Sequence, residues 1–565
     1  MIEMTRTRLR FVGFVIASLV LTGPVSALDL AVPHVSADYV WAQGYTGTAV
    51  EIGIIDLFVA DSNHPAINGN FLGSQNFAKG ATFLGEHATL VTGAAVSQDP
   101  TYTGVAPDAG WWTGQTTNAG TITKVRNQTV AVETFAHGLG VLAGNPAEVL
   151  SLSIGLAGNT LATDQWSLGI DHVVRDSGRT VTVAAGNDGP NGSTLAGLPT
   201  GAYNAIIVGA TGGTVSGHPS EDYSNLASYS SRGPTDDGRS KPDIVAPGSW
   251  MHVPTPGSGW GDFNGTSIAT PVVAGGAALM IEVGLDLGYS TDARVIKSTL
   301  MNSADKLTGW GNTSTRPLDW NQGAGQLNLE NAYNQYIPGE HDPGTVEGIG
   351  WDLQEVSWDT ENFYTLDGTT PAGEFITATL AWDRIVTDDP AGGDIDDIVY
   401  NLDHLDNLDL HIYDASDLST PLASSISTID NVEHIHYSVA QTSQYVLGAK
   451  MTGASPGDLE TYGLAWHALT DPIPLDGDVT GDGFVGADDL VAILTNWGMS
   501  GATRQEGDLT GEGFVGADDY VAVLTFWGNT SSGPEPLPEP GVLLVLLVGA
   551  VGLGGIRTNR PRQKT

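Results

Sequence analysis

Glycine-punctuated apolar runs alternate with longer helical stretches between about residues 28 and 336, and this alternation constrains the fold more than any other feature. The runs Ala49–Ile55 and Thr180–Ala185 are rich in β-branched residues and have the length of strands. Strands that are apolar along their whole length are typical of a parallel sheet, because both of its faces are buried. The sequence therefore predicts an α/β domain whose parallel sheet has helices on both faces.

The charge and the cysteine content exclude several classes of function. The 565 residues carry 22 Lys and Arg against 64 Asp and Glu, a formal net charge of −42, and they include no cysteine. Such a chain repels nucleic-acid phosphates and anionic lipids, so we predict no nucleic-acid partner. Without cysteine there is no disulfide, no thiolate metal ligand and no cysteine nucleophile. Any chemistry must use oxygen and nitrogen atoms.

The N-terminal segment has the three-part layout of a secretory signal peptide. Basic residues precede the apolar run Phe11–Leu21, which is followed by Gly-Pro and by the small residues Val25–Ala27. This layout predicts a signal peptide over 1–27 and an exported protein. An uncleaved anchor helix is the alternative, but the run is short and ends in helix breakers.

A second apolar run, Gly541–Ile556, lies near the C-terminus. A predicted Pro-rich linker (531–540) ends in Pro-Glu-Pro before it, and a basic tail follows it up to residue 565. At 1.5 Å per residue the run is about 24 Å long, a little short of the roughly 30 Å hydrocarbon core. The layout of 541–565 resembles the PEP-CTERM sorting signal, which implies an exosortase-type processing enzyme and a place at the cell envelope or surface. A plain C-terminal transmembrane helix is the alternative.

The most informative segment places Ser267 between a Gly-Thr turn and an Ala-, Gly- and Val-rich helical stretch. A serine at a helix start has an exposed hydroxyl, and its amide lies where the helix dipole would stabilise a developing oxyanion. Gly265–Pro271 matches Gly-Thr-Ser-x-Ala-x-Pro and so resembles the nucleophile motif of the subtilisin-like serine peptidases, or subtilases. The resemblance implies a serine-type endopeptidase with Ser267 as the nucleophile.

A serine hydroxyl is a poor nucleophile unless a base removes its proton, and in subtilases this base is a histidine. Gly85–Gly93 is similar to the family's histidine motif, His-Gly-Thr-His-Val-Ala-Gly. The similarity implies that His87 is the base and that it begins a helix. Ala88, Leu90 and Thr92 depart from the motif, and Ala88 replaces a glycine.

The aspartate that orients the base is expected at the carboxyl end of a buried strand, where α/β sheets assemble their sites. Asp56 ends the first apolar run and precedes the histidine, which gives the subtilase order of Asp, His and Ser. Asp61 is the alternative. Leu57 and Phe58 stand where the family usually has Ser or Thr and then Gly, so they leave the geometry of this turn open.

Two further segments resemble parts of the subtilase site. Ala184–Gly189 resembles the oxyanion segment, so the Asn187 amide and the Ser267 backbone N–H would donate to the tetrahedral intermediate. An Asn-Asp-Gly turn is the alternative reading. Leu152–Gly155 resembles the strand that pairs with the substrate backbone. The substrate-binding residues that this implies are Ser153, Ile154 and Gly155.

These motifs lie in a peptidase domain predicted over 28–340, and the resemblance covers about 280 residues of it. The motifs imply a serine endopeptidase that acts on polypeptides through an acyl-enzyme and needs no cofactor for catalysis, and the signal peptide implies that it is exported. A catalytically inactive subtilase-fold protein for surface display or adhesion is the alternative.

The pattern changes between about 345 and 471. Short segments such as Phe375–Trp382 and Leu408–Tyr413 are separated by clusters of Asp, Gly and Pro. Short alternating strands are typical of antiparallel sheets, so we predict a β-sandwich over 345–471.

A duplicated unit follows over 475–530: Gly477–Asp489 recurs almost unchanged as Gly507–Asp519. The repeat has oxygen donors at positions 1, 3, 5, 7 and 12 of a twelve-residue calcium loop. The predicted calcium ligands are Asp478, Thr480, Asp482, the Phe484 carbonyl and Asp489, then Asp508, Thr510, Glu512, the Phe514 carbonyl and Asp519. Each loop precedes a short apolar helical stretch, which resembles a dockerin module and implies structural calcium and a cohesin-like partner. The alternatives are two solvated acidic turns and a simple spacer.

Overall fold

The computed structural model describes residues 27–119, 125–142, 144–213, 222–390, 398–453, 458–468 and parts of 477–527. In the last segment these parts are 477, 479–480, 485–500, 502, 507–509 and 514–527. The predicted signal peptide (except Ala27), the Pro-rich linker and the C-terminal apolar run lie outside the described residues.

Seven strands form the sheet of the first domain. They are β1 (Glu51–Asp56), β2 (Phe71–Asn76), β3 (Gly110–Gln115), β4 (Val149–Leu152), β5 (Thr180–Ala184), β6 (Ile206–Thr211) and β7 (Ile244–Pro247). Their order in the sheet is β2-β3-β1-β4-β5-β6-β7, and neighbouring strands pair in parallel. The predicted α/β class with a parallel sheet is confirmed.

Helices cover both faces of this sheet. They are α1 (Ala27–His34), α2 (Ala37–Ala42), α3 (Glu86–Val96), α4 (Val125–Ala136), α5 (Gln165–Ser177), α6 (Thr266–Leu287), α7 (Ala293–Asn302) and α8 (Leu329–Tyr336). Successive residues of a strand point to opposite faces. Ile54 accordingly packs in a core with residues of α3 and α6, and Ile55 packs in a second core with residues of α4 and α5.

Helix α6 is the central helix of the domain. In the described part of the chain it is the one helix long and apolar enough to cross a membrane, yet 94% of its most apolar window is buried within the protein. A hairpin of β8 (Met251–Thr255) and β9 (Gly259–Phe263) precedes it directly. The burial explains the apolar composition of α6 as that of a core helix.

Two larger sheets and a hairpin follow the first domain. Their strands are β10 (Gly344–Val346), β11 (Ile349–Ser357), β12 (Glu361–Leu366), β13 (Phe375–Trp382), β14 (Ile385–Pro390), β15 (Ile398–His404), β16 (Leu408–Asp414), β17 (Ala423–Ser425), β18 (Val432–Ser438), β19 (Tyr445–Met451) and β20 (Leu459–His467). The orders are β10-β12-β19-β16-β17 and β11-β20-β13-β18, and β14 pairs with β15. All these pairs are antiparallel except β10 with β12. The predicted antiparallel sheets are therefore present, and the two larger ones share one hydrophobic core.

The four-stranded sheet packs directly on the first domain. The Trp351 indole N–H donates to the Tyr336 carbonyl at 2.8 Å, and both rings are fully buried. A Cβ at Gly463 would lie 2.5 Å from the backbone of Arg294, so β20 crosses the first turn of α7 at close range. The sheet thus continues the hydrophobic core of the α/β domain.

The β14–β15 hairpin also binds the first domain, at α4 and α5. The Tyr400 hydroxyl donates to Glu133 Oε1 at 2.6 Å. Just before the hairpin, the guanidinium of Arg384 pairs with Asp171, and both side chains are buried. Glu133 of α4 and Asp171 of α5 thus receive their partners from the C-terminal part of the chain.

In the duplicated unit the structure describes two short helices, α9 (Ala487–Thr495) and α10 (Ala517–Thr525). Their buried apolar residues form a small core of their own.

Candidate active site

Asp56 and His87 form a hydrogen-bonded pair at the carboxyl end of β1. Asp56 is the last residue of the strand and is 1% exposed, and His87 is the second residue of α3. The distance between His87 Nδ1 and Asp56 Oδ2 is 2.7 Å. The second carboxylate oxygen accepts the Leu57 N–H at 2.6 Å. This geometry favours the tautomer with the proton on Nδ1, which leaves Nε2 free to accept a proton.

The pKa of His87 is raised from its ordinary value of 6.5. Burial lowers it, but the negative charge of Asp56 and its hydrogen bond raise it, and the net direction is upward. The imidazole is nevertheless 42% exposed, so solvent and substrate can reach it.

Asp61, the alternative orienting residue, has other partners. One carboxylate oxygen accepts the Gly257 N–H at 2.8 Å, and the other accepts the Asn63 N–H at 3.1 Å. Its backbone N–H donates to Thr89 Oγ1. Asp61 thus fixes its own loop against the β8–β9 hairpin, while Asp56 contacts the imidazole.

Ser267 is the second residue of α6, as the motif predicts. Its hydroxyl donates to the Ser153 carbonyl at 3.3 Å, and the Ser153 hydroxyl donates to the Ser267 carbonyl at 2.7 Å. These reciprocal bonds fix the start of α6 to the chain that leaves β4. The Ser267 hydroxyl thus bonds to the Ser153 carbonyl and has no hydrogen bond to His87, and catalytic hydrogen bonds often tighten only when substrate binds.

The Asn187 side chain has a defined orientation. Its Oδ1 accepts the Thr266 N–H at 2.9 Å and lies 3.1 Å from Thr266 Oγ1. An amide oxygen can accept these donors and an NH2 group cannot, so Nδ2 must point the other way. Asn187 is exposed, and its NH2 group is therefore available to an oxyanion. No role for Thr266 is predicted from the motif, although a hydroxyl next to the serine is a visible signal in the sequence.

Sheet topology brings these residues to one edge. Strands β1, β4 and β5 are neighbours and parallel, so their carboxyl ends lie side by side. Asp56 ends β1, Ser153 follows β4 and Asn187 follows β5. Ile154 is 7% exposed and Gly155 is exposed, so of this pair only Gly155 has its backbone open to a ligand.

The predicted calcium ligands lie partly outside the described residues: Asp478, Asp482, Phe484, Thr510 and Glu512. Asp489 Oδ1 accepts the N–H groups of Val479 and Thr480 at 2.8 and 3.0 Å, and Asp519 Oδ1 accepts that of Leu509 at 2.9 Å. Among the described residues, no three or more His, Asp or Glu side chains form a group that could hold a metal. Calcium binding therefore stays a prediction.

The parallel α/β fold, the Asp56–His87 pair and a serine at the start of α6 agree with the subtilisin-like class expected from the motifs. A model of the subtilase family matches residues 47–326. The chain is 32% identical to subtilisin of Bacillus pumilus over 266 residues, 45% of this chain and 85% of that protein. It is 30% identical to thermitase of Thermoactinomyces vulgaris over 278 residues, 47% of this chain and 84% of that protein. The chain belongs to the subtilase family.

The chain is also 32% identical to subtilisin E of Bacillus subtilis, but this match spans only 61% of that protein and 45% of this chain. Among solved structures, the prenylagaramide maturation protease PagA aligns with a TM-score of 0.42 and 22% identity, covering 53% of this chain and 98% of that one. The predicted subtilase membership is confirmed. The sandwich, dockerin and PEP-CTERM resemblances remain predictions.

Proposed function

We propose that this protein is an exported serine endopeptidase. His87 removes the proton of Ser267, whose oxygen attacks a peptide carbonyl and becomes acylated. His87 then returns the proton to the leaving amine, and water hydrolyses the acyl-enzyme by the same steps. The observation that carries the proposal is the 2.7 Å bond between His87 Nδ1 and the buried Asp56 carboxylate, which ends the strand next to β4.

Asp56 orients the base and stabilises the imidazolium that forms during attack. Its second oxygen is occupied by the Leu57 N–H, so the carboxylate has little freedom to turn. Asn187 and the Ser267 N–H donate to the oxyanion of the tetrahedral intermediate. Loss of such a donor typically costs roughly 3 kcal/mol of transition-state stabilisation.

The substrate is a polypeptide that lies along Ser153, Ile154 and Gly155. Support comes from the exposed backbone of Gly155 and from the reciprocal hydrogen bonds between Ser153 and Ser267. A substrate chain paired with this segment would present its carbonyl to the nucleophile.

The remaining assignments follow from sequence motifs. The signal peptide directs export, and the C-terminal segment 541–565 places the protein at the envelope or surface until an exosortase-type enzyme processes it. The duplicated loops take up structural calcium, and their helices offer a site for a cohesin-like partner. The all-oxygen donor set suits calcium. A rise in Tm with calcium that EGTA reverses would test the loops.

The second candidate is an inactive display or adhesion protein, which Leu57, Phe58 and Ala88 favour as departures from the family motifs. Against it, Leu57 donates its N–H to Asp56 without displacing the carboxylate from His87. Ala88 is fully buried within α3. The departures are therefore compatible with an intact pair.

Hydrolysis of internally quenched peptides by the purified protein separates the two candidates. We expect His87→Ala to abolish turnover, whereas His404→Ala, at an exposed histidine of β15, leaves it unchanged. Equal turnover in both variants, or none in the parent protein, contradicts the proposal.

A further inference from the structure

Two buried carboxylates lie where the antiparallel sheets meet the α/β domain. Asp406, in the loop between β15 and β16, is 2% exposed, and Glu460, the second residue of β20, is 1% exposed. Both side-chain oxygens of Asp406 and Oε2 of Glu460 have no hydrogen-bond partner in the described part of the chain. Because buried carboxylates are nearly always paired or hydrogen-bonded, these three oxygens need an explanation.

A proton shared between the two carboxyl groups explains them only in part. Burial, then the charge of Asp383 and the hydrogen bond and charge of Asp406, raise the pKa of Glu460 to about 8, although Arg175 opposes the rise. One shared proton would satisfy Glu460 Oε2 and one oxygen of Asp406. The other Asp406 oxygen would stay buried without a partner. His404 Nε2 lies 3.6 Å from Asp406 Oδ1, which is too far for a hydrogen bond.

The guanidinium groups nearby bind other carboxylates. Arg175 Nη1 lies 3.3 Å from Glu460 Oε1, and Arg294 Nε lies 3.7 Å from Asp383 Oδ2. Among the described residues, neither arginine pairs with Asp406. A buried carboxylate without a cation is strongly unfavourable, so a further positive charge is expected here.

The backbone holds both carboxylates in place. The Trp382 indole N–H donates to the Asp406 carbonyl at 2.8 Å, and Trp382 is fully buried. Glu460 is opposite Val356 in the antiparallel pair of β11 and β20. Both acidic residues lie outside residues 47–326, which the subtilase model matches, and outside the duplicated unit. Their oxygens therefore form a fixed donor pair that none of the motifs accounts for.

We propose that Asp406 and Glu460 bind a calcium ion at the junction of the two domains. Their donors are all oxygen atoms, which hard cations prefer, and two carboxylates match the charge of a divalent ion. The side chains supply at most about four of the roughly six to eight oxygens that calcium takes, so main-chain carbonyls and water supply the rest. Because Glu460 also pairs with Arg175 of α5, the ion strengthens the attachment of the sheets to the α/β domain. The site does not depend on the proposed peptidase activity.

The calcium content of the whole protein after equilibrium dialysis tests the site. At about 1 mM calcium, a concentration suited to extracellular modules, we expect Asp406→Asn to bind about one ion fewer per chain than the parent protein. This variant keeps the shape of the side chain and removes its charge. Glu460→Gln is the second variant and should lose the same ion. The control is Asp403→Asn, at a neighbouring aspartate whose side chain is 57% exposed, and it should bind as much calcium as the parent.

The double variant Asp489→Asn/Asp519→Asn separates this site from the duplicated loops. It should keep the ion at the junction, which is then lost when Asp406→Asn is added. Equal calcium contents of the parent and of a folded Asp406→Asn or Glu460→Gln variant overturn the proposal and leave a shared proton as the explanation. Equal losses in Asp406→Asn and in the Asp403→Asn control overturn it as well, because general surface charge would then explain the binding.

Discussion

Thr266 Oγ1 lies 3.1 Å from Asn187 Oδ1, and the Thr266 N–H donates to the same oxygen at 2.9 Å. The residue just before the proposed nucleophile therefore orients the proposed oxyanion donor. Thr266 is fully buried, and its hydroxyl also accepts the Gly186 N–H at 3.1 Å. The start of α6 and the segment after β5 are thus fixed to each other through the hydroxyl and the backbone N–H of one residue.

Removing this hydroxyl should slow the reaction and change binding little. In Thr266→Val the shape is kept, but the Gly186 N–H loses its acceptor and Asn187 loses one constraint. We expect kcat to fall about tenfold with KM nearly unchanged, because the oxyanion contact strengthens only in the transition state. Thr266→Ser, which keeps the hydroxyl, should retain most of the rate. A rise in KM at constant kcat would contradict this positioning role.

Removing the donor itself should cost more. For Asn187→Ala we expect a fall in kcat of about 10² to 10³, the magnitude known for such a donor in a subtilisin. Asn191→Ala, a few residues beyond the proposed donor in the loop that follows β5, is the control. Steady-state kinetics on one peptide would measure both, and equal rates for the two variants would argue against the oxyanion role.

The pH profile should show the raised pKa of His87. The base must be neutral to accept a proton, so kcat/KM should fall as the pH drops through an apparent pKa above 6.5. In Asp56→Asn, which removes the charge, this limb should move to lower pH and the rate should drop by about 10⁴. If the acidic limb of the kcat/KM profile stayed in place in Asp56→Asn, a group other than His87 would be responsible for it.

The same shift predicts a pH dependence of stability. Since folding raises the pKa of His87, its contribution is fully present below about pH 6.5 and is lost as the pH rises through the folded value. Comparing the free energies of unfolding of the parent and of His87→Gln from pH 5 to pH 9 would measure it. If the free energy of unfolding of the parent exceeded that of His87→Gln by more at high pH than at low pH, the prediction would be wrong.

The contact between the two domains should matter for stability. Arg384→Met leaves Asp171, which is fully buried, without its cation, and we expect a loss of about 3–5 kcal/mol in the free energy of unfolding. Arg179→Met breaks a more exposed pair with Glu148 and should cost less than about 1 kcal/mol. Denaturant titrations give both values. If both variants lost a similar free energy of unfolding, burial would not make the Arg384–Asp171 pair more important for stability than the exposed pair.

The sequence predicted the sheet class and the order of the site residues, because both follow from local patterns. Asp56 ends an apolar strand, and His87 and Ser267 begin helices, as their motifs indicate. Asp56 ends β1 and Ser153 follows β4, and the carboxyl ends of these two strands lie side by side because the strands are parallel neighbours.

Other features depend on contacts between distant segments, which no local pattern encodes. The sequence left Asp56 and Asp61 as alternatives, since only the fold decides which carboxylate meets the imidazole. The pairing of Arg384 with Asp171 joins residues from two domains. The Ser153 carbonyl as partner of the Ser267 hydroxyl depends on where β4 ends relative to α6.

Mass spectrometry of the protein after reaction with a fluorophosphonate tests whether Ser267 is an activated nucleophile. We expect one adduct, on the peptide that contains Ser267, that is lost in Ser267→Ala and strongly slowed in His87→Ala. A folded parent protein that forms no adduct, or an adduct that persists in Ser267→Ala, would contradict it.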